Sequence, residues 1–268
     1  MDHFQKVNQS GEETVQNKDS EWPEEPHRRK TVLVLNQQDI EALDYEEGGV
    51  DVLCNEEIHI LSPSSQHSNP VVQGLLNRGI ARSGTVLIQS PFDMDKYENS
   101  KQAVERFALD KCLYLSELCS HLGAREVRIE HIEIKNTEGS TTFSVTGNVL
   151  GIVGGDTRVE NQELDSFLSR LTMKDKFKGG APDVSAAREL LNRTGLINDA
   201  NMRSLLDMRQ NASNLLESRK LHFDMTSETR SNLNVLANFN VPFLSLEAGY
   251  DRHIREQTEF TLTIRVDF

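Results

Sequence analysis

The sequence predicts an α+β fold: an antiparallel sheet packed on a long central helix plus a helical layer, with an N-terminal α/β-like lobe. Three observations carry this expectation. Between about residues 95 and 122, Val104, Ala108, Leu115, Leu118, Cys119 and Leu122 recur at helical spacing and form a broad apolar face. At the C-terminus, Phe260, Leu262, Ile264, Val266 and Phe268 alternate with Thr261, Thr263, Arg265 and Asp267, the period of a strand with one face buried and one wet. Leu233, Val235, Ala237, Phe239 and Val241 alternate with asparagines in the same way, so a further strand is expected over 232–241.

Residues 1–30 are rich in Gln, Asn, Glu, Ser and Pro and show no hydrophobic period. Burial there does not offset ordering entropy, so a disordered tail is expected, followed by a single α+β domain over 31–268 with sub-lobes at 31–90 and 91–268. Within the first lobe, Thr31–Leu35 reads as a strand and Gln37–Tyr45 as a helix broken by Gly48 and Gly49. Val50–Cys54 and Ile58–Leu61 are expected as short strands, a helix follows Pro70, and Thr85–Gln89 is a buried strand. Asp93 or Asp95 is expected to cap the long helix and Gly123 to end it. Val127–Lys135 and Thr141–Val153 read as a hairpin around a turn at 136–140. Helices are expected over 160–171, 184–192 and 198–217.

Composition narrows the function classes. Of 268 residues, 37% are hydrophobic and 26% charged, the balance of a globular chain. The longest apolar runs, such as Val149–Val153, fall far short of the roughly 20 residues of a membrane-spanning helix. The N-terminal segment has neither a secretory nor an organellar pattern, so a cytoplasmic location is expected. Cys54, Cys112 and Cys119 are an odd number at unpaired spacings, which fits a reducing compartment. Cys112 and Cys119, with His121 close by, lack the tight Cys-x-x-Cys pair of a zinc site. They are expected as buried thiols, and no metal or cofactor is expected. The net charge of −13 disfavours a role built on binding phosphate backbones.

The most distinctive feature is local. From Thr31 to Asn77 there is no Lys or Arg, while the stretch holds Asp39, Glu41, Asp44, Glu46, Glu47, Asp51, Glu56 and Glu57. Uncompensated carboxylates focus field and attract cations, and these do not follow the spacing of an EF-hand loop. The expected function is therefore a cytosolic protein-binding, accessory or regulatory subunit that engages a basic protein partner through this acidic surface.

Two other classes have a foothold. Glu133-Ile134-Lys135, on one side of an expected strand, resembles half of the PD-(D/E)xK nuclease signature, in which such a pair holds Mg²⁺ and an attacking water. Glu105 or Asp110 would have to supply the missing acid. The alternating C-terminal segments and the glycine-rich Thr141–Val153 stretch have the pattern of a β-pore-forming membrane effector. Gly147, Gly151, Gly154 and Gly155 lack the lysine of a phosphate-binding loop and are expected to mark bulges, and His67 is expected in a polar turn.

Overall fold

The computed structural model describes residues 22–43, 45, 49–136, 139–146, 149–155, 162–211, 213–237 and 259–268. Two antiparallel-rich sheets share the long helix, as an α+β fold requires.

The first sheet holds β1 (Thr31–Val34), β2 (Ile58–Leu61), β3 (Thr85–Gln89) and β4 (Tyr97–Asn99) in the order β2-β1-β3-β4, with only β1 and β2 parallel. Its strands β1, β2 and β3 are largely apolar runs without alternation because both faces are covered. Leu33, Ile58, Ile60, Val86 and Ile88 face the main core. Val32, Val34, Leu61, Leu87 and Tyr97 face a smaller one, closed by Val72 and Leu75 of α3 (Pro70–Asn77). Asn69 caps α3 by accepting from the Val71 amide at 2.8 Å, and Pro70 occupies the first turn, where no donor is missed.

Residues 22–30, expected in the tail, complete that smaller core. Trp22 meets His59 and Tyr97 edge-on, with ring centroids 5.2 and 5.5 Å apart. A 3₁₀ turn, Pro26–Arg29, delivers Arg29 beneath the 91–95 loop, where it donates to the Met94 carbonyl, the Tyr97 hydroxyl and Asp95 at 3.0–3.1 Å. Burial pushes the Tyr97 phenol up to about 12, against the lowering pull of Arg29 and Gln89.

Between β1 and β2 lie α1 (Gln37–Leu43) and α2 (Gly49–Cys54), so the strand expected over 50–54 is a helix. A Cβ on Gly49 would lie 1.9 Å from the Leu43 carbonyl oxygen, so glycine alone lets the two short helices abut. The helix places Val52 in the core and leaves Val50 exposed.

The long helix α4 (Ser100–His121) starts later than expected. Asn99, not Asp93 or Asp95, accepts from the Lys101 amide, because the fully buried Tyr97 belongs to β4 and holds the preceding residues in the sheet. At its end Gly123 adopts φ +80°, and a Cβ there would meet the Gly180 carbonyl oxygen at 2.2 Å.

The second sheet is built from β5 (Glu126–Asn136), β6 (Gly139–Thr146), β7 (Val149–Gly155), β8 (Lys174–Lys176), β9 (Ser218–Asp224) and β10 (Glu259–Asp267). Its order is β7-β6-β5-β10-β9, with β8 also on β5. The expected strand over 141–153 is thus two strands of a hairpin, Thr146 lying opposite Val149. In β10 the alternation holds, with Phe260, Leu262, Ile264 and Val266 opposite Ile134, Ile132, Ile129 and Val127 of β5. A bulge at Glu130 absorbs the three-residue step from Ile129 to Ile132.

The helical layer comprises α5 (Gln162–Leu171), α6 (Val184–Arg193), α7 (Ala200–Gln210) and α8 (Ser227–Ala237). Helix α7 ends at Gln210 rather than near 217, because β9 takes the chain from Ser218. Helix α8 replaces the first part of the strand expected over 232–241; residues 238–241 lie outside the described set. Its inward face carries Thr229, Asn232 and Leu233, following Thr226, a helical spacing made mostly of polar residues that hydropathy does not register. Asn232 donates to the Gln89 carbonyl at 3.0 Å and accepts from Thr31 through its own carbonyl at 3.3 Å, tying α8 to the first sheet.

One contiguous core contains residues of both sheets, with Ala103, Phe107, Ala108, Leu115, Leu118 and Leu122 of α4 among them. In the middle of α4, Lys111 is 1% exposed. Its ammonium reaches Asp199 at 3.0 Å, Glu228 at 2.7 Å and the Asp224 carbonyl at 2.9 Å, one acceptor for each proton. Lys111→Met is expected to lower unfolding free energy by about 1–3 kcal/mol, because it leaves the partly exposed Asp199 and Glu228 without their cation. Urea denaturation followed by circular dichroism checks this, and a loss under about 1 kcal/mol would show the cluster to be solvated.

Candidate functional site: the acidic α1–α2 surface and the charged sheet face

Asn36 opens α1 by accepting from the Asp39 amide at 2.9 Å, and Asn55 closes the turn after α2 by accepting from the Glu57 amide at 2.8 Å. Leu43 and Val52 anchor the two helices in the core, with Ile40 and Leu53 packed beside them. The opposite sides carry the carboxylates. Glu41, Asp51 and Glu56 are exposed and Asp39 is half-buried. Asp44, Glu46 and Glu47 lie outside the described residues.

Glu57 differs from the rest: it pairs with Lys30, just outside the lysine- and arginine-free stretch. It is to that extent neutralised from within. Among the described residues no Lys or Arg lies within ion-pairing distance of Asp39, Glu41, Asp51 or Glu56; Glu41 accepts only from the Gln37 side chain, at 3.2 Å. Two large apolar side chains stand out in the same segment, Tyr45 at 90% and Val50 at 55% exposure. Neither was singled out by charge pattern, although an aromatic within an acidic run is visible in the sequence.

Glu133 and Lys135 do share one exposed face of β5. Their neighbours across the strands are hydroxyls and one acid: Thr142 and Thr261 for Glu133, Ser140 and Glu259 for Lys135. Glu133 accepts from the Ser140 hydroxyl at 2.9 Å. Asp110, a stand-in for the missing acid, is on α4 and accepts from Lys96 at 2.6 Å. Among the described residues no three His, Cys, Asp or Glu side chains gather to hold a metal ion.

For the pore pattern, β6 and β7 are present, and Ile152 and Val153 of β7 are about two-thirds exposed. The segment up to Ala237 that the pattern also uses is α8. Among the described residues no helix is long and apolar enough to cross a membrane. All three cysteines are free, and burial raises the Cys112 thiol to about 12 and the Cys119 thiol further still. His67 lies in the turn expected for it, bonded through Nε2 to the Ser62 carbonyl at 2.7 Å.

Comparison with protein-family models, with curated proteins and with solved structures found no match to this chain. Its chemistry is therefore read from its own surface.

In contrast to α1–α2, the wet face of the second sheet neutralises itself. Arg128 lies 2.5 Å from Glu126, 3.8 Å from Glu130 and 3.7 Å from Asp267, Lys220 lies 2.9 Å from Glu130, and Arg265 lies 3.2 Å from Asp267. The hydrogen bond from Arg128 holds the Glu126 carboxyl below its ordinary range, and that from Lys220 does the same for Glu130. For Asp267 burial pulls upward, but Ser218, Arg265 and Arg128 together outweigh it and the shift is downward.

Groups whose folded pKa is depressed contribute stability above their unfolded pKa, about 4, and lose it as pH falls through the folded value. The thermal midpoint is expected to drop below about pH 4, and Arg128→Met is expected to make that drop shallower. A pH series of melting curves on both proteins measures it; parallel curves in the acid limb would remove Arg128 from the cause.

Proposed function

We propose that this protein is a cytosolic binding or accessory subunit that docks a basic segment of a partner protein on α1, α2 and the turn that follows them. The observation that carries this reading is the coincidence of unneutralised carboxylates with exposed Tyr45 and Val50 in one short segment. Carboxylates alone make a solvated face. Tyrosine adds a rigid ring with a polar tip, the residue type that anchors protein interfaces, and its apolar area adds short-range attraction to the longer-range field. The field steers a cationic segment and disfavours acidic ones, while Tyr45 and Val50 favour a segment that also carries aliphatic side chains. Three free thiols support a reducing compartment.

A synthetic peptide of alternating lysine and leucine serves as the probe. Reversing Glu41, Asp51 and Glu56 to Lys is expected to weaken its binding at least about tenfold and to flatten the salt dependence. Tyr45→Ala is expected to weaken it about fivefold at unchanged salt dependence. Reversal of three exposed acids elsewhere, Glu189, Asp207 and Glu217, applies the same change in net charge and is expected to have a much smaller effect. Equal losses in the two triple variants, read by isothermal titration calorimetry, would reduce the interaction to net charge and overturn the assignment of α1–α2.

A further inference from the structure

A concave surface is lined by residues outside α1 and α2. The 91–95 loop between β3 and β4, Tyr114 of α4, and residues 192–195 at the end of α6 enclose a cleft of about 570 Å³. That is within the range of small-molecule sites, roughly 300–1,000 Å³. Its loop wall is pinned from below. Arg29 and Gln89 both donate to the Met94 carbonyl, at 3.1 and 2.8 Å, Arg29 holds Asp95 at 3.0 Å, and the Lys96 amide donates to the Asp93 carbonyl at 3.1 Å. On the far wall the chain turns through Gly195 at φ +70°, after the buried Thr194 returns its hydroxyl to the Leu190 carbonyl at 2.8 Å. The backbone around the opening is thus held before any ligand arrives.

The charges that line this cleft are unequally spent. Asp95 is paired with Arg29, and Arg193 lies 3.7 Å from Glu117. Asp93 is exposed; its Oδ1 accepts from the Asp95 amide at 3.1 Å, and no Lys or Arg among the described residues pairs with it. Tyr114 packs edge-on against Phe92, ring centroids 5.9 Å apart, and its hydroxyl makes no hydrogen bond to a described residue. The phenol is itself a reporter of the local field: burial raises its pKa first, Asp110, Asp93 and Glu117 raise it further, and only Arg193 opposes them.

From the cleft's shape, its fixed loop wall, the unpaired Asp93 and the adjacent Tyr114 ring, we propose that it binds a small organic cation, an alkylamine or alkylguanidine. The ammonium or guanidinium group pairs with the open oxygen of Asp93 and lies beside the Tyr114 ring, while the alkyl stem runs toward Phe92 and Met94. Arg193, which also lines the cleft, is drawn toward Glu117 at 3.7 Å, which offsets its repulsion of an entering cation. This site is separate from the acidic α1–α2 surface, and its occupancy does not depend on that surface's role.

Agmatine, which carries a guanidinium and an amine on one alkyl chain, is the probe for calorimetric titration of the full chain. One molecule is expected to bind per protein. Asp93→Asn keeps the turn's acceptor oxygen and is expected to leave the thermal midpoint in place while weakening agmatine at least about fivefold. Tyr114→Leu is expected to weaken it about threefold. Asp93→Glu is expected to restore most of the affinity, and Glu56→Gln, on the α1–α2 surface, to leave it unchanged. Agmatine affinity that is the same in Asp93→Asn, or that falls as much with Glu56→Gln, would overturn the proposal, as would tighter binding of succinate than of agmatine.

Discussion

Helix α4 has to be buried against two sheets at once, and Lys111 at its middle makes that burial conditional. An ammonium removed from water needs an acceptor for each proton, and α4 itself offers none on that side. The acceptors come from three other elements: Asp199 ahead of α7, Asp224 at the end of β9, and Glu228 in α8. Two of these serve local structure as well. Asp199 uses Oδ1 to cap α7 at the Asn201 and Met202 amides and Oδ2 to hold Lys111. Asp224 uses Oδ1 to receive the Thr226 and Ser227 amides at the start of α8, Oδ2 to pair with Arg230, and its carbonyl for Lys111. Helix starts and the central ion cluster therefore share Asp199 and Asp224.

The same economy governs the surface. On the wet face of the second sheet, acids and bases alternate across strands and pair with one another, so little field leaves that side. Beneath the 91–95 loop, Arg29 is consumed by Tyr97, Met94 and Asp95 and stacks 5.2 Å from the Trp22 ring. The C-terminal residue is held similarly, with Arg209 over the Phe268 ring at 4.3 Å and bonded to the Leu122 and Leu216 carbonyls. Three cations of this chain, Arg29, Lys111 and Arg209, are committed inward. Among the described carboxylates left without a basic partner are Asp39, Glu41, Asp51, Glu56 and Asp93, beside exposed acids on other elements such as Glu189 and Asp207.

Some of this was legible in the sequence. The face of α4 and the alternation of β10 are repeated apolar signals, and a signal of that kind survives any tertiary context because the residues must be buried somewhere. The bulge at Glu130, which sets the side that Glu133 and Lys135 occupy, was not among the expectations and comes from the pairing with β10. The expected strand over 50–54 misled because five residues, Val, Leu and Cys around a single Asp51, do not distinguish a short strand from a short helix. Gly49 against the Leu43 carbonyl decided it. At 232–237 the misleading signal was stronger. Leu and Asn alternate there, yet burial of Asn232 on a helical face is satisfied by hydrogen bonds to the first sheet, which no pattern of hydropathy contains.

By itself the sequence determined the α+β class, the core helix, the C-terminal strand and the stretch of acids without a neighbouring base, because each follows from residue type and spacing along the chain. Tertiary structure alone decided that Glu57 is neutralised by Lys30, that Trp22 and Arg29 belong to the fold, that Lys111 is buried among three acceptors, and that Asp93 and Tyr114 line one cleft. Pairing and concavity depend on which segments meet in space, and Coulomb attraction and hydrogen bonding act over a few ångströms whatever the distance in sequence.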